Sequence, residues 1–256
     1  MNEMAGRPGG ALVVGGSGAI GREVAQGLAA LGADLTVTWS GNEQAAQDTA
    51  TMVRESGRDV RVARMDMGDP ASVAEAVEQA AAHHGGLHTV VLAASPTNYQ
   101  SYVSQMPLDL YAEQLRVDAG GSLAVVQHAL PFLRESRGSV VVVSSVANRR
   151  FVLRDVLSTG PKAANEALVR AVAAEEGRFG VRANAVGVGI LAEGMTQVLI
   201  ASGDIREGDL DHALSRIPMR ELGKARDVAE MVCFLASERA RYVTGQWIDV
   251  DGGYGL

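Results

Sequence analysis

The chain has 256 residues, of which 47% are hydrophobic, 21% charged and 4% aromatic. That is the range of one medium to large globular domain, and it excludes a disordered chain. The balance of 23 basic against 30 acidic residues, a formal net charge of -7, lacks the Lys/Arg footprint of a nucleic-acid binder.

Met1 to Gly10 has neither the basic region nor the apolar stretch of a signal peptide, and residues 1–9 read as a mobile tail. Ala11–Val14 reads as a buried strand and Glu23–Leu31 as a helix closed by Gly32. Asp34–Trp39 is a strand, Glu43–Ser56 a polar-faced helix, and Val60–Met65 a third strand. Asp69-Pro70 starts the next helix, with Asp as cap and Pro at the first helical position. His83-His84 ends it before Gly85-Gly86, where imidazolium suits the helix dipole. Adjacent histidines on a helix point apart, so no metal site is expected there or elsewhere.

Leu87–Ala93 is a strand, Leu108–Leu133 one long helix, and Ser139–Val143 a Val run buried on both faces. Lys162–Arg178 reads as a helix, Val181–Val186 as a strand, Asp227–Ala236 as a helix and Gln246–Val250 as the last strand. His128, mid-helix, reads as a packed residue, and Cys233, the lone cysteine, as a small buried hydrophobe in a reducing compartment. Alternating units of this length predict an α/β fold: seven parallel strands, helices on both faces, and no second domain. Residues 187–220 lack strong periodicity and read as a lid over a substrate. No apolar run is long enough to span a bilayer, so neither a membrane nor a nucleic-acid partner is expected, and the location is expected to be cytoplasmic.

Gly15-Gly16-Ser17-Gly18-Ala19-Ile20-Gly21 follows the first strand and opens a helix. Gly16, Gly18 and Gly21 have the G-x-G-x-x-G spacing that lets a pyrophosphate approach a helix N-terminus, which predicts a dinucleotide site. Gly15, Ser17, Gly18, Ile20 and Gly21 are its candidate residues. The second strand ends Thr38-Trp39-Ser40-Gly41-Asn42, without the carboxylate that bonds NAD ribose hydroxyls. Ser40 and Asn42, with Arg64 or Arg22 for charge, lean the reading towards NADP(H) over NAD(H).

The chain resembles the short-chain dehydrogenase/reductase family over essentially its whole length. The resemblance is clearest in Ile217-Pro218-Met219, Asp227-Val228-Ala229-Glu230, Val243-Thr244-Gly245-Gln246 and Val250-Asp251-Gly252-Gly253, which are similar to the carboxyl-terminal part of carrier-protein ketoacyl reductases. Val181–Val186 also matches. The resemblance implies a single-domain Rossmann fold, a homotetramer or homodimer built through the long fourth and fifth helices, and a small-molecule substrate. It implies that Asp66 and Met67 meet the adenine, and it adds Ala93, Lys162 and Gly189 to the cofactor set.

The family's redox machinery is a Ser, a Tyr four residues before a Lys, and an Asn on the fourth helix. Here Ser145 takes the Ser position and Lys162 the Lys position, but the Tyr position is Ser158 and the Asn position Asp118. Asn-Asn-Ala-Gly after the fourth strand has become Leu92-Ala93-Ala94-Ser95, a loop glycine has become Ala19, and the Pro-Gly after the sixth strand has become Val188-Gly189. An aliphatic hydroxyl is a far weaker acid than a phenol, and a positioned general acid contributes about 10²–10⁴-fold. Asp155, seven residues before Lys162, and Tyr99 or Tyr102, after the fourth strand, are candidate replacement donors. Ser158 or Thr159 also reads as a helix cap. The functional expectation is an NAD(P)(H)-dependent oxidoreductase of an apolar carbonyl or enone with a non-standard proton donor. The alternatives are a non-redox enzyme on the same scaffold (cyclase, dehydratase or isomerase), with the dinucleotide absent or structural, or a catalytically inactive binding homologue.

Overall fold

A computed structural model describes residues 3–96, 99–205 and 208–256. Seven strands form one sheet in the order β3-β2-β1-β4-β5-β6-β7, every pair parallel. They are β1 (Gly10–Val14), β2 (Leu35–Trp39), β3 (Val60–Arg64), β4 (Leu87–Leu92), β5 (Ser139–Ser145), β6 (Arg182–Val188) and β7 (Trp247–Val250). The helices include α1 (Ala19–Ala30), α2 (Glu43–Glu55), α3 (Pro70–His84), α4 (Leu108–Gln114), α5 (Gly121–Ser136) and α6 (Val156–Glu176). After β6 come α7 (Met195–Ser202), α8 (Asp209–Arg216) and α9 (Ala225–Ala236).

The Val run of β5 shows why the central strands carry no alternation. Val141 and Val143 pack with residues of α1 and α9, whereas Val140 and Val142 pack with residues of α3, α5 and α6. Each face is covered, so both sets of side chains are buried, each by about 1.5–3 kcal/mol of apolar transfer. The expected α3 cap is present: Asp69 Oδ1 accepts from the Ala71 amide at 3.0 Å, with Pro70 next in line. Cys233 is buried beside Gly27 of α1, and burial pushes its thiol up to about 12.

Four expectations need correction. The tail is docked from Met4 onward: Met4 is buried, its amide bonds the Leu31 carbonyl at 2.8 Å, and Arg7 pairs with Glu238. The single helix over 108–133 is interrupted by a π-helical stretch, Leu115–Gly120, which carries Asp118 into the interior. α6 begins at Val156, so Pro161 lies inside it and Ser158 and Thr159 are helical residues rather than caps. Thr159 Oγ1 instead bonds the Asp155 carbonyl. The segment 187–220, expected to be irregular, holds the two short helices α7 and α8; Arg206 and Glu207 lie outside the described residues.

Candidate active site and nucleotide cleft

The sheet order reverses between β1 and β4, and a crevice opens there at the carboxyl ends of the strands. It has a volume of about 280 Å³. Gly15, Ser17 and Gly18 form its floor, and Thr38 to Ser40 one side. Met65, Asp66 and Met67 and then Ala93, Ala94 and Ser95 complete the wall. Seven sequence-predicted residues therefore line one cleft: Gly15, Ser17, Gly18, Ser40, Asp66, Met67 and Ala93.

The glycine loop is held by its backbone. The Gly16 amide bonds the Thr38 carbonyl at 2.9 Å, and Thr49 Oγ1 donates to the Gly16 carbonyl at 2.9 Å. Gly15 has φ 87°, in the left-handed region, and a Cβ there would sit 2.7 Å from the Ala94 amide nitrogen. A Cβ at Gly21 would sit 2.2 Å from the Gly15 carbonyl oxygen, so Gly21 lets α1 start directly beneath the loop. Gly18 is exposed at the start of α1, where unpaired helix amides favour an anion. Arg22, in the first turn, has a buried Nε without a hydrogen-bond partner. These features fit a dinucleotide pyrophosphate.

Other predicted residues play different parts. Ile20 packs on the core and Gly21 is buried under the loop. Gly189 abuts Asp251, where a Cβ would meet backbone at 2.5 Å, and its amide bonds the Val250 carbonyl. Asn42 caps α2, its Oδ1 accepting from the Ala45 amide at 3.0 Å. Arg64 stacks over Trp39 at 6.0 Å, placing a cation beside the cleft wall.

Next to the cleft lies a buried polar cluster around Asp118. Lys162 Nζ donates to Asp118 Oδ2 at 2.8 Å and to Oδ1 at 3.2 Å. Asn165 Nδ2 donates to Oδ1 at 2.9 Å, and Ser95 Oγ to Oδ2 at 2.9 Å. Asp118 is only 1% exposed and Lys162 6%. Hydrogen bonds from Lys162, Asn165 and Ser95, one of them within an ion pair, offset the desolvation of the buried Asp118 carboxyl group. Asn165 and Ser95 are not among the sequence-predicted site residues. The signal for Asn165 is its place three residues after Lys162, a polar residue on the same face of α6.

Ser145 ends β5, and its hydroxyl accepts from the Ala147 amide at 3.2 Å. Asp155 is the residue before α6, and Asp155, Ser158 and Lys162 recur at three- and four-residue spacing, which sets them on one side of the helix. Burial pushes the Asp155 carboxyl up to about 7. Tyr99 and Tyr102 are exposed, at 47% and 54%, and neither lines the cleft. The amide of Ser101 bonds the Arg154 carbonyl at 3.0 Å, tying the loop of these tyrosines to the one before α6.

A seven-stranded, doubly wound parallel sheet with a glycine loop at its switch point defines the chain as a nucleotide-binding α/β protein of the Rossmann type. A family profile described as enoyl-(acyl carrier protein) reductase matches residues 15–255, and the chain belongs to the short-chain dehydrogenase/reductase family of NAD(P)-dependent oxidoreductases. It is 29% identical over 249 residues to a versicolorin reductase of Emericella nidulans, covering 95% of this chain and 94% of that one. It is 29% identical over 244 residues to a 3-oxoacyl-[acyl-carrier-protein] reductase of Staphylococcus aureus, covering 95% and 96%. A short-chain dehydrogenase of Burkholderia cenocepacia, solved in complex with NADP, superposes with a TM-score of 0.87 at 29% identity, covering 98% and 99%. Among the described residues no helix is long and apolar enough to cross a membrane.

Proposed function

We propose that the protein is an NADP(H)-dependent oxidoreductase of a small or medium-sized apolar carbonyl or enone, with Asp155 in place of the family tyrosine as proton donor. The observation that carries this reading is the preserved nucleotide cleft beside a rebuilt proton site. The cleft keeps its glycine loop and its Asp66-Met67 wall. NADP is favoured because β2 ends without a carboxylate, while Ser40 and the Arg64 guanidinium flank the cleft.

The cleft residues Gly15, Ser17, Gly18 and Asp66 would hold the dinucleotide, whose chemistry when bound would be hydride transfer. The chain's own residues do the rest. The helix amides below Gly18 and the Arg22 cation hold the pyrophosphate. The Ser145 hydroxyl donates to the substrate oxygen. Asp155, with its carboxyl near 7, holds a proton in a large fraction of molecules at neutral pH and releases it to the same oxygen. Phe151, Leu153, Tyr99 and Tyr102, all exposed on two loops tied together at Ser101 and Arg154, offer an apolar surface to the substrate. α7 and α8 serve as the lid; Gly194, just before α7, lies over the glycine loop, its Cβ position 3.5 Å from Ala19.

One observation favours a second reading. Lys162 is neutralised by Asp118 and is not free to bind a ribose or to acidify a hydroxyl. A non-redox enzyme, or a protein that binds the dinucleotide without turnover, has no need of a free ammonium there. Calorimetric titration with NADPH and NADH, followed by a carbonyl and enone screen that monitors loss of NADPH absorbance, separates the readings. Tight NADPH binding with turnover supports the oxidoreductase. Binding without turnover supports the second reading, and no binding sinks both forms of cofactor use. Lys162→Ala with unchanged dinucleotide affinity removes the ribose role from Lys162.

A further inference from the structure

At the amino-terminal ends of β1, β2 and β3, opposite the carboxyl ends that line the cleft, the end of α3 meets the residue that precedes β3. His83 Nε2 lies 2.7 Å from Asp59 Oδ2, and His84 Nδ1 lies 3.8 Å from the same oxygen. The three ligand atoms all fall within 4.8 Å of one another. This overturns the expectation that adjacent histidines diverge. Consecutive helical residues start about 100° apart, but at the last turn the two rings close to a centroid separation of 4.6 Å, edge to face.

His84 is the fixed member. Its side chain is 3% exposed. Its ring presses on Gly10 of β1, where an added Cβ would lie 2.6 Å from the imidazole. Its Nε2 is 3.1 Å from Thr36 Oγ1 of β2. In the tautomer whose Nε2–H donates to Thr36, Nδ1 is an acceptor 3.8 Å from the Asp59 carboxylate oxygen. His83 and Asp59 are solvent-accessible, so an ion has a path in. A hydrogen bond alone accounts for the His83–Asp59 contact. It does not account for a buried imidazole whose Nδ1 lies 3.8 Å from the same oxygen, beyond hydrogen-bond range.

We propose that Asp59, His83 and His84 form a site for a divalent transition-metal ion of borderline softness, zinc foremost. Two imidazoles and one carboxylate are the ligand types such ions take, and Thr36 orients one imidazole from behind. Tetrahedral zinc with bonds of about 2.0–2.1 Å sets its ligand atoms roughly 3.3 Å apart, which falls between the two separations found here. Three protein ligands leave one position for water. The ion staples the end of α3 to the start of β3. It lies at the other end of the strands from the nucleotide cleft, so its effect is on stability and not on dinucleotide binding.

The test uses the full chain without a tag, stripped of metal, titrated with zinc chloride by calorimetry and with cobalt(II) followed by its visible absorption. The expected result is one equivalent bound at low micromolar Kd or tighter, with a raised thermal midpoint in excess zinc. Asp59→Asn and His83→Ala each weaken binding at least about tenfold, since each removes one of three ligands. Both side chains are exposed, and unchanged circular dichroism verifies that the variants fold. His128→Ala and His212→Ala leave the titration unchanged, and NADPH affinity is the same with and without zinc. Absence of saturable binding overturns the proposal, and so does binding that survives in both the Asp59 and His83 variants.

Discussion

The Lys162 ammonium lies 2.8 Å from one oxygen of the Asp118 carboxylate and 3.2 Å from the other, and both side chains are buried. Such a pair is strongly asymmetric to mutation. Making it stabilises little, because desolvation offsets the attraction, but removing one partner strands the other charge at a cost of about 3–5 kcal/mol. Asp118→Ala is expected to lower stability by that amount in denaturant unfolding. Asp118→Asn keeps the volume and an acceptor for Ser95 or Lys162, and should cost about 1–3 kcal/mol. The Asn variant also frees the ammonium, so dinucleotide affinity measured by calorimetry should rise relative to the parent protein. Equal affinity in the two would show that Lys162 does not reach the cofactor.

The glycine loop sets a second expectation. A methyl at Gly21 overlaps the Gly15 carbonyl, which is backbone and cannot rotate away. Gly21→Ala must push α1 off the loop. A loss of at least about 2 kcal/mol follows from overpacking of this kind, and NADPH binding should fall more than stability does. Gly41→Ala, with nothing within 4 Å of the new methyl, is the matched control and should bind as the parent does.

What the sequence makes legible follows from where the information sits. The strands and their parallel order are readable from the alternation of short β-branched runs and helical stretches, because burial on both faces writes itself into the Val140–Val143 run of β5. The cleft is legible through its glycines, since close backbone approach admits little else. The start of α6 is not, because Pro161 is a strong local signal for a first helical position, and the structure accepts it inside the helix. The π-helical stretch at Asp118 has no local signature. Its cause is tertiary: a carboxylate that must reach Lys162, Asn165 and Ser95 from other parts of the chain. The convergence of His83 and His84 is hidden by helical geometry that holds in mid-helix and relaxes at the last turn.

Ser158 offers a gain-of-function test. It stands four residues before Lys162 and makes no side-chain hydrogen bond among the described residues, so its hydroxyl is not a structural anchor. Ser158→Tyr places a phenol on the face of α6 that carries Lys162. In the Asp155→Asn background, which lacks the proposed donor, NADPH-dependent reduction of a simple β-keto ester should rise by at least about tenfold, approaching the roughly 10²–10⁴ range of a positioned general acid. The double variant with Asp118→Asn should exceed either single change, because a freed ammonium lowers the phenol pKa. No gain in the double variant would assign the defect to substrate binding and not to proton supply.

Asp155 gives the sharpest pH signature. Its carboxyl titrates at about 7 in the folded chain because burial penalises the charge, and near its ordinary value of about 4 when unfolded. The native state therefore holds one more proton than the unfolded state between those values. Its stabilising effect is complete below about pH 4 and is lost as pH rises through about 7. At about 1.4 kcal/mol for each tenfold change in proton affinity, the separation of the two values bounds the effect at about 4 kcal/mol; partial solvent access brings the expected loss to about 2 kcal/mol. The stability advantage of the parent over Asp155→Asn should decline by that amount between about pH 4 and pH 8; His88, whose imidazole burial holds down to about 4, contributes an opposite rise that is common to both proteins and cancels in the difference. Activity reads the same proton. Reduction rates should fall as pH rises through about 7, and Asp155→Asn should lose about 10²-fold or more in kcat/KM and flatten the profile. A variant that loses the stability slope yet keeps full activity would assign Asp155 a structural role and return the search for the donor to Tyr99 and Tyr102.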